Sequence, residues 1–473
     1  MKTKIGDLYK SVLPLSSLYL LIVYSLGVFS EGAWSDDYAA FDNPSSTALH
    51  ATKDGRLLYG ILIDWFFSST TEVGQLQYIR LFGLLGIVLL NNLVIVQLLK
   101  ISKSRLMPFA SSVAFTLPSF QLSTHWAIAF CLSWSAYISL LGFLIYRKKS
   151  EFYKIIGILL CVFSLLLYPL MTFFVFSFLF AEVLVKGWSV GSSLKSLREG
   201  LIFVIFGGVV STIFVAMNLS WRGLEPNDRV VFVNLEDIPE KLYWFATRPF
   251  ALSFRPFNIS SPEILEMLLI FIAVSCLISL LSIKLYKKLN LVIKFLFSFV
   301  CFITVSLLPL LVASQNQIDL RFIGSSSWMV LFTTIYLLVS TPIEFIGKSA
   351  QKTISVILTS IIGFYGLVSV NYRFATVIKP IYLNSTSFIS SELRLCSENQ
   401  ISNGILIVER TKPWPSRQLL GFFSQTTDLA SEWVPVGVVK LVLIKASKET
   451  KGITLSSLRV RNESLCYVHL DKF

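Results

Sequence analysis

The chain has 473 residues, of which 54% are hydrophobic, 14% aromatic and only 15% charged, with a mean hydropathy of +0.69. Soluble globular proteins carry about 25% charged residues, so this composition excludes a soluble multidomain protein, and it excludes disordered and fibrous chains as well. The net charge of +13 does not point to nucleic acid, because the basic residues form short clusters between apolar segments rather than one basic face.

A hydrocarbon core of about 30 Å takes about 20 apolar residues per helix. On that scale, spans are expected near 11–30, 76–99, 106–122, 126–146, 153–170, 171–186, 200–218, 264–283, 291–313, 327–346 and 353–373, eleven in all. The first is too long for a cleavable signal, and no small-residue cleavage site follows it. Lys2, Lys4 and Lys10 precede the first span. Further clusters follow alternate spans: Lys100, Lys103 and Arg105; Arg147, Lys148 and Lys149; Lys186, Lys195 and Arg198; Lys284, Lys287 and Lys288; Lys348 and Lys352. With eleven spans every cluster falls on one side, which the positive-inside rule makes cytoplasmic. The expected fold is therefore an all-α polytopic membrane protein, with residues 1–373 forming the transmembrane domain. Its large outer segments are 31–75 and 219–263, with a shorter one at 314–326, and its spans are nearly free of ionisable residues; Glu182 lies close to a cytoplasmic end.

Within the first outer segment, residues 54–68 read as an amphipathic helix on the membrane interface. Leu57, Leu58, Ile61, Leu62, Trp65 and Phe66 make its apolar stripe; Arg56, Gly60, Asp64 and Ser68 recur on the other face. Residues 374–473 read as a small α/β domain outside the membrane, with strands at 404–409, 438–444 and 464–469 and a helix start at 415–423. Cys396 and Cys466 both fall in that tail, where an oxidising compartment allows a disulfide.

The candidate chemistry lies on the outer side. Asp36 and Asp37, in Trp34-Ser-Asp-Asp-Tyr38, are adjacent carboxylates at a membrane exit, placed to take a proton from a hydroxyl nucleophile. Asp54-Gly-Arg56 offers Asp54 as a helix N-cap and Arg56 as a planar fork for phosphate. Gln121, His125 and Trp126, in the turn before the fourth span, combine amide, imidazole and indole, a set that holds a sugar ring or forms an interfacial belt. Asp319 and Arg321 mark a short outer turn, where Arg runs against the charge bias and suits an anionic ligand; Arg248 and Arg255 repeat that signal more weakly. No HExxH, P-loop, GxSxG or zinc-spaced Cys/His motif is present in the sequence, so no metal or other cofactor is expected.

These features together resemble the bacterial O-antigen glucosyltransferases of serotype conversion, polytopic glycosyltransferases of the GT-C type. The resemblance rests on the outer Asp36-Asp37 after the first span, Gly55-Arg56 some twenty residues on, the amphipathic helix, and Pro118-Ser-Phe-Gln121 before Trp126. It runs over most of residues 15–375 and does not cover the tail. It implies a polyprenyl-phosphate-linked sugar as donor, a lipid-linked or lipopolysaccharide glycan as acceptor, and a site on the periplasmic face of the bacterial inner membrane. Asp36 or Asp37 would be the base in an inverting transfer, with arginine neutralising the departing phosphate. Glucose is the sugar the resemblance suggests. A transporter or flippase of lipid-linked sugars and a non-catalytic scaffold of polysaccharide assembly are the rival readings. Oligomeric state is not legible.

Overall fold

The computed structural model describes residues 2–30, 37, 40–41, 43–71, 73–101, 106–227, 232–254, 289–314, 316, 320–340, 348–373, 405–409, 454–456 and 466–469. Within them the chain is largely helical. The helices are α1 (Lys2–Val28), α2 (Pro44–Lys53), α3 (Leu57–Ser68), α4 (Leu76–Ile101), α5 (Leu106–Ala114), α6 (Pro118–His125) and α7 (Cys131–Tyr146). They continue as α8 (Glu151–Leu167), α9 (Phe174–Gly187), α10 (Val190–Trp221), α11 (Ile238–Phe245), α12 (Leu289–Ser306), α13 (Gly324–Ser340) and α14 (Lys348–Arg373). Among the described residues, four helical stretches are long and apolar enough to cross a membrane: Leu76–Ile101, Ala127–Tyr146, Pro169–Gly187 and Val190–Trp221. The expected span at 264–283 lies outside the described residues.

The bundle is built around α9 and the chain from 110 to 133. Every residue from 110 to 133, and every residue from 171 to 184, is buried. Phe174, Phe176, Phe178 and Phe180 are fully enclosed, and the enclosed Trp328 of α13 packs 5.1 Å from the Phe174 ring centroid. Around this centre α4 packs on α1, α6 and α7, α8 pairs with α7, and α14 closes against α1 and α5. In contrast α10 shows Ile205, Phe206, Val209, Val210, Ile213, Phe214 and Met217 on its exposed side, an apolar stripe that suits a lipid solvent rather than water.

The expected span at 106–122 is corrected: it is two short helices, α5 and α6, broken at residues 115–117. Pro118 explains the break, since the residue before proline is pushed out of the α region and proline itself sits well at a helix start. Backbone carbonyls released inside an apolar bundle need new donors. Tyr24 on α1 donates to the Phe115 carbonyl at 2.5 Å, and Gln121 Nε2 donates to the Thr116 carbonyl at 2.9 Å.

The sequence reading also overlooked a helix. Residues 44–53 form α2, started by Asn43, whose side chain accepts from the Ser46 amide at 3.0 Å, and by Pro44 at the first helical position. The expected face of α3 needs correction too. Ile61 and Trp65 are exposed, while Tyr59, Gly60, Ile63 and Phe67 are buried, because α3 lays its Gly60 side on α2.

One end of the bundle gathers charge. Arg147 bonds Glu182 at 2.6 Å and Glu199 at 3.2 Å, and Lys186 bonds Glu182 at 2.7 Å. This cluster follows the C-terminal end of α7, and the candidate site borders its N-terminal end, about 24 Å away for a 16-residue helix. In the tail, β1 (Ile405–Glu409), β2 (Thr454–Ser456) and β3 (Cys466–His469) form a parallel sheet in the order β2-β1-β3. Two of the three expected strands thus match, and β2 was not anticipated. The expected elements at 415–423 and 438–444, and Cys396 of the expected disulfide, lie outside the described residues.

Candidate functional site

The site forms where the turn after α6 meets the start of α7. Asp37 is fully buried, and its carboxylate accepts the backbone amides of Ala127 at 3.2 Å and Ile128 at 2.7 Å. Amides at a helix start have no partner within the helix and sit at the positive end of its dipole, so a carboxylate is the side chain that satisfies them best. Asp37 therefore fastens the segment after α1 to the root of α7. Tyr59 donates to the Ile128 carbonyl at 2.5 Å, so α3 is tied to the same turn. Burial pushes its phenol far above the ordinary tyrosine range, keeping it neutral.

Two arginines border this turn. Arg56 pairs with Asp54, and its guanidinium lies 5.3 Å from the Tyr59 ring centroid and 5.6 Å from that of Tyr168. Burial works against its charge, but Asp54, Tyr168 and Tyr59 together outweigh it and hold the guanidinium above its ordinary value. Arg321 lies 4.3 Å over the Trp126 ring. Planar cations stacked on aromatic faces are held in orientation. Both fields reach Tyr59, whose phenol feels each arginine.

Asp54 is corrected from its expected role. It is the C-cap residue of α2, not the N-cap of α3; Arg56 takes that N-cap position without a side-chain cap. Between them Gly55 adopts φ of 77°, a left-handed conformation that turns α2 into α3 and favours glycine. Asp54 also accepts from Asn227 Nδ2 at 2.7 Å, and the Asn227 amide donates to the Lys53 carbonyl at 3.1 Å, so the segment after α10 is fixed to this corner.

Gln121, His125 and Trp126 come together and are all buried, and the expected turn is corrected: Gln121 and His125 lie on helix α6, with Trp126 at its C-cap. Gln121 serves the broken backbone, and His125 Nδ1 bonds the Gln121 carbonyl at 2.9 Å. Two polar atoms here have no hydrogen-bond partner among the described residues: Gln121 Oε1 and Trp126 Nε1. A buried indole N–H ordinarily finds an acceptor, so these two atoms are the uncompensated polar groups of the cluster. Arg248 is exposed on the π-helical turn Ala246–Phe250. Asp36, Asp319 and Arg255 lie outside the described residues.

The sequence reading missed Tyr59, Tyr168, Asn227 and Arg80. Arg80 is 1% exposed near the start of α4, where Nη1 donates to the Ser30 carbonyl at 2.7 Å and to Ser30 Oγ at 3.0 Å. An arginine within an apolar run was the signal available for it. The two tyrosines gave none, since interfacial aromatics are ordinary.

The His125 ring rests against Gly27 of α1. A methyl added there would fall 1.9 Å from His125 Cδ2 and 2.0 Å from Nε2. Gly27→Ala should therefore push the ring aside and lower the thermal midpoint of purified protein, at a cost of about 1–3 kcal/mol as for other overpacked cores; an unchanged melting curve contradicts this contact.

Lys241 on α11 is a second buried cation. It is 3% exposed, donates to Asn316 Oδ1 at 3.0 Å, and lies 4.3 Å over the Trp244 ring. Burial lowers its ammonium from 10.5 to about 8. Between those values the folded chain binds fewer protons at Lys241 than the unfolded chain, so stability should rise with pH through that window. Melting curves from pH 7 to 11 should show this rise in the native chain, and Lys241→Met should flatten it.

No protein-family model matches the chain, and no curated protein or solved structure matches it. The class rests on the chain's own features: a largely helical membrane protein with a polar, arginine-flanked corner at one end of its bundle.

Proposed function

We propose that this protein is an inverting membrane glycosyltransferase, which moves a sugar from a polyprenyl phosphate to a glycan on the periplasmic face of the bacterial inner membrane. The observation that carries this reading is the convergence of Asp37, Arg56 and Arg321 on the 126–130 turn, beside Trp126, Tyr59 and Tyr168. Their end of the bundle lies opposite the Arg147 and Lys186 cluster, which the positive-inside rule assigns to the cytoplasm.

The two carboxylates have different roles in this reading. Both oxygens of Asp37 already accept an amide at the root of α7, and the side chain is fully enclosed. Asp37 accordingly positions the loop, and Asp36, its neighbour in the chain, takes the proton of the acceptor hydroxyl. As that O–H bond breaks, the oxygen attacks the anomeric carbon opposite the leaving group. The bond from carbon to phosphate oxygen breaks with its electron pair, and the polyprenyl phosphate departs with the configuration inverted. Arg56 and Arg321 neutralise the phosphate, and the stacking rings hold their guanidinium planes in place. The acceptor is a lipid-linked or lipopolysaccharide glycan, and the small sheet-containing tail accompanies the transmembrane domain on the same side.

Asp36→Asn should leave protein levels and melting unchanged while transfer from a radiolabelled polyprenyl-phosphate sugar falls to background. Full transfer by this variant contradicts the assignment of the base. Arg80 does not argue for transport, because it sits within the first turns of α4 and bonds Ser30.

A further inference from the structure

Helix α3 carries the arginine-tyrosine cluster on its buried face, and a different feature on its exposed one. There an open groove of about 530 Å³ is lined by Ile61, Asp64, Trp65, Ser68 and Ser69. We propose that this groove binds one ring of a neutral saccharide, and, resting on the transferase reading above, that it is a subsite for the acceptor glycan.

The groove offers the two things a sugar ring needs. The first is a flat apolar platform. Trp65 is 66% exposed, yet its ring is braced 4.8 Å from Phe66, which packs at 5.3 Å on Phe82 and 5.1 Å on Phe130. An exposed, backed indole presents its face to the C–H side of a pyranose. The second is a fixed acceptor for hydroxyls. Asp64 Oδ1 accepts from Ser45 Oγ of α2 at 2.8 Å and from Ser68 Oγ at 3.5 Å, and no described group bonds Oδ2. Ser69 Oγ already donates to the Phe66 carbonyl at 2.8 Å, which leaves its oxygen as an acceptor. Vicinal hydroxyls are donors that match this set.

The carboxylate also selects. It repels phosphate and anionic headgroups, and a carboxylate is costly in hydrocarbon, so the groove suits a neutral sugar better than lipid. Its place is apt as well. Asp64 is five residues beyond Tyr59, about 7.5 Å along the helix axis and on the other side. A glycan chain leaving the reaction centre would meet it within a ring or two.

The test is saturation-transfer NMR on the full chain in phosphatidylcholine nanodiscs, with maltotriose and an α-linked rhamnose trisaccharide as probes. At least one probe should show transfer to its ring protons. Trp65→Ala and Asp64→Asn should each weaken the signal at least fivefold, and Trp65→Phe should retain part of it. No signal from either probe, or equal signals in all variants, overturns the proposal. So does quenching of the Trp65 fluorescence, taken as the difference from Trp65→Phe, by dibrominated lipid, since that would place the indole in the bilayer. Binding should survive Asp36→Asn. Transfer activity without trisaccharide binding sinks the groove alone, and trisaccharide binding without transfer from a lipid donor sinks the transferase reading alone.

Discussion

Asp37→Ala should abolish transfer and destabilise the protein together, by about 3–4 kcal/mol. The carboxylate is fully buried and accepts two amides at the root of α7. Removing it leaves both amides without an acceptor, at about 1–3 kcal/mol for each buried unsatisfied group. It also removes an anion from the positive end of a helix dipole. Asp37→Asn should behave differently: its carbonyl oxygen still accepts one amide, so the melting midpoint should recover in part while transfer stays low. Thermal melting in detergent alongside a transfer assay separates the two outcomes. If Asp37→Ala melts like the native protein, the anchoring role is wrong. If Asp37→Asn alone loses its pH-rate profile while Asp36→Asn keeps it, the roles of the two carboxylates are reversed.

Arg56→Ala should cost about 3–5 kcal/mol, the range for breaking a buried ion pair by removing one partner. Asp54 would lose its closest cation, although the Asn227 side-chain amide stays at 2.7 Å and the His50 ring at 3.9 Å. The double variant Arg56→Ala with Asp54→Asn should recover much of that stability, because no uncompensated charge remains. It should not recover transfer, because the guanidinium proposed to neutralise the phosphate is still missing. Arg56→Lys should give intermediate transfer, since it keeps the charge but loses the planar fork packed near the Tyr59 and Tyr168 rings. Full transfer by the double variant would reduce Arg56 to an ion-pair partner.

The membrane class and most long helices were legible because apolar length is a strong, local signal. The runs at 76–99 and 126–146 correspond to Leu76–Ile101 and Ala127–Tyr146. Legibility failed where one residue redirects the chain. Pro118 splits an apolar run that hydropathy reads as continuous, and only the resulting carbonyls, met by Tyr24 and Gln121, reveal the cost. Asn43-Pro44 was a readable helix start that apolar periodicity passed over.

At the site, chain-local logic singled out Asp37, Arg56, Trp126 and Arg321, and the structure gathers all four. It could not foresee partners far away in the chain, such as Tyr168 beside Arg56 or Asn227 beside Asp54. Nor could it foresee which side of α3 is buried. A helix with apolar residues on both sides takes its orientation from its neighbour, and here α2 decides it.

The central claim is that sugar moves from a lipid phosphate to a glycan. The most direct measurement reconstitutes the full chain in proteoliposomes with a radiolabelled hexose on polyprenyl phosphate and delipidated O-polysaccharide as acceptor, with no nucleotide sugar added. The account predicts that label appears in the polysaccharide with the anomeric configuration inverted, and that Asp36→Asn stops it. Label that crosses the bilayer on its lipid without reaching polysaccharide, or label that stays where it began, would contradict it.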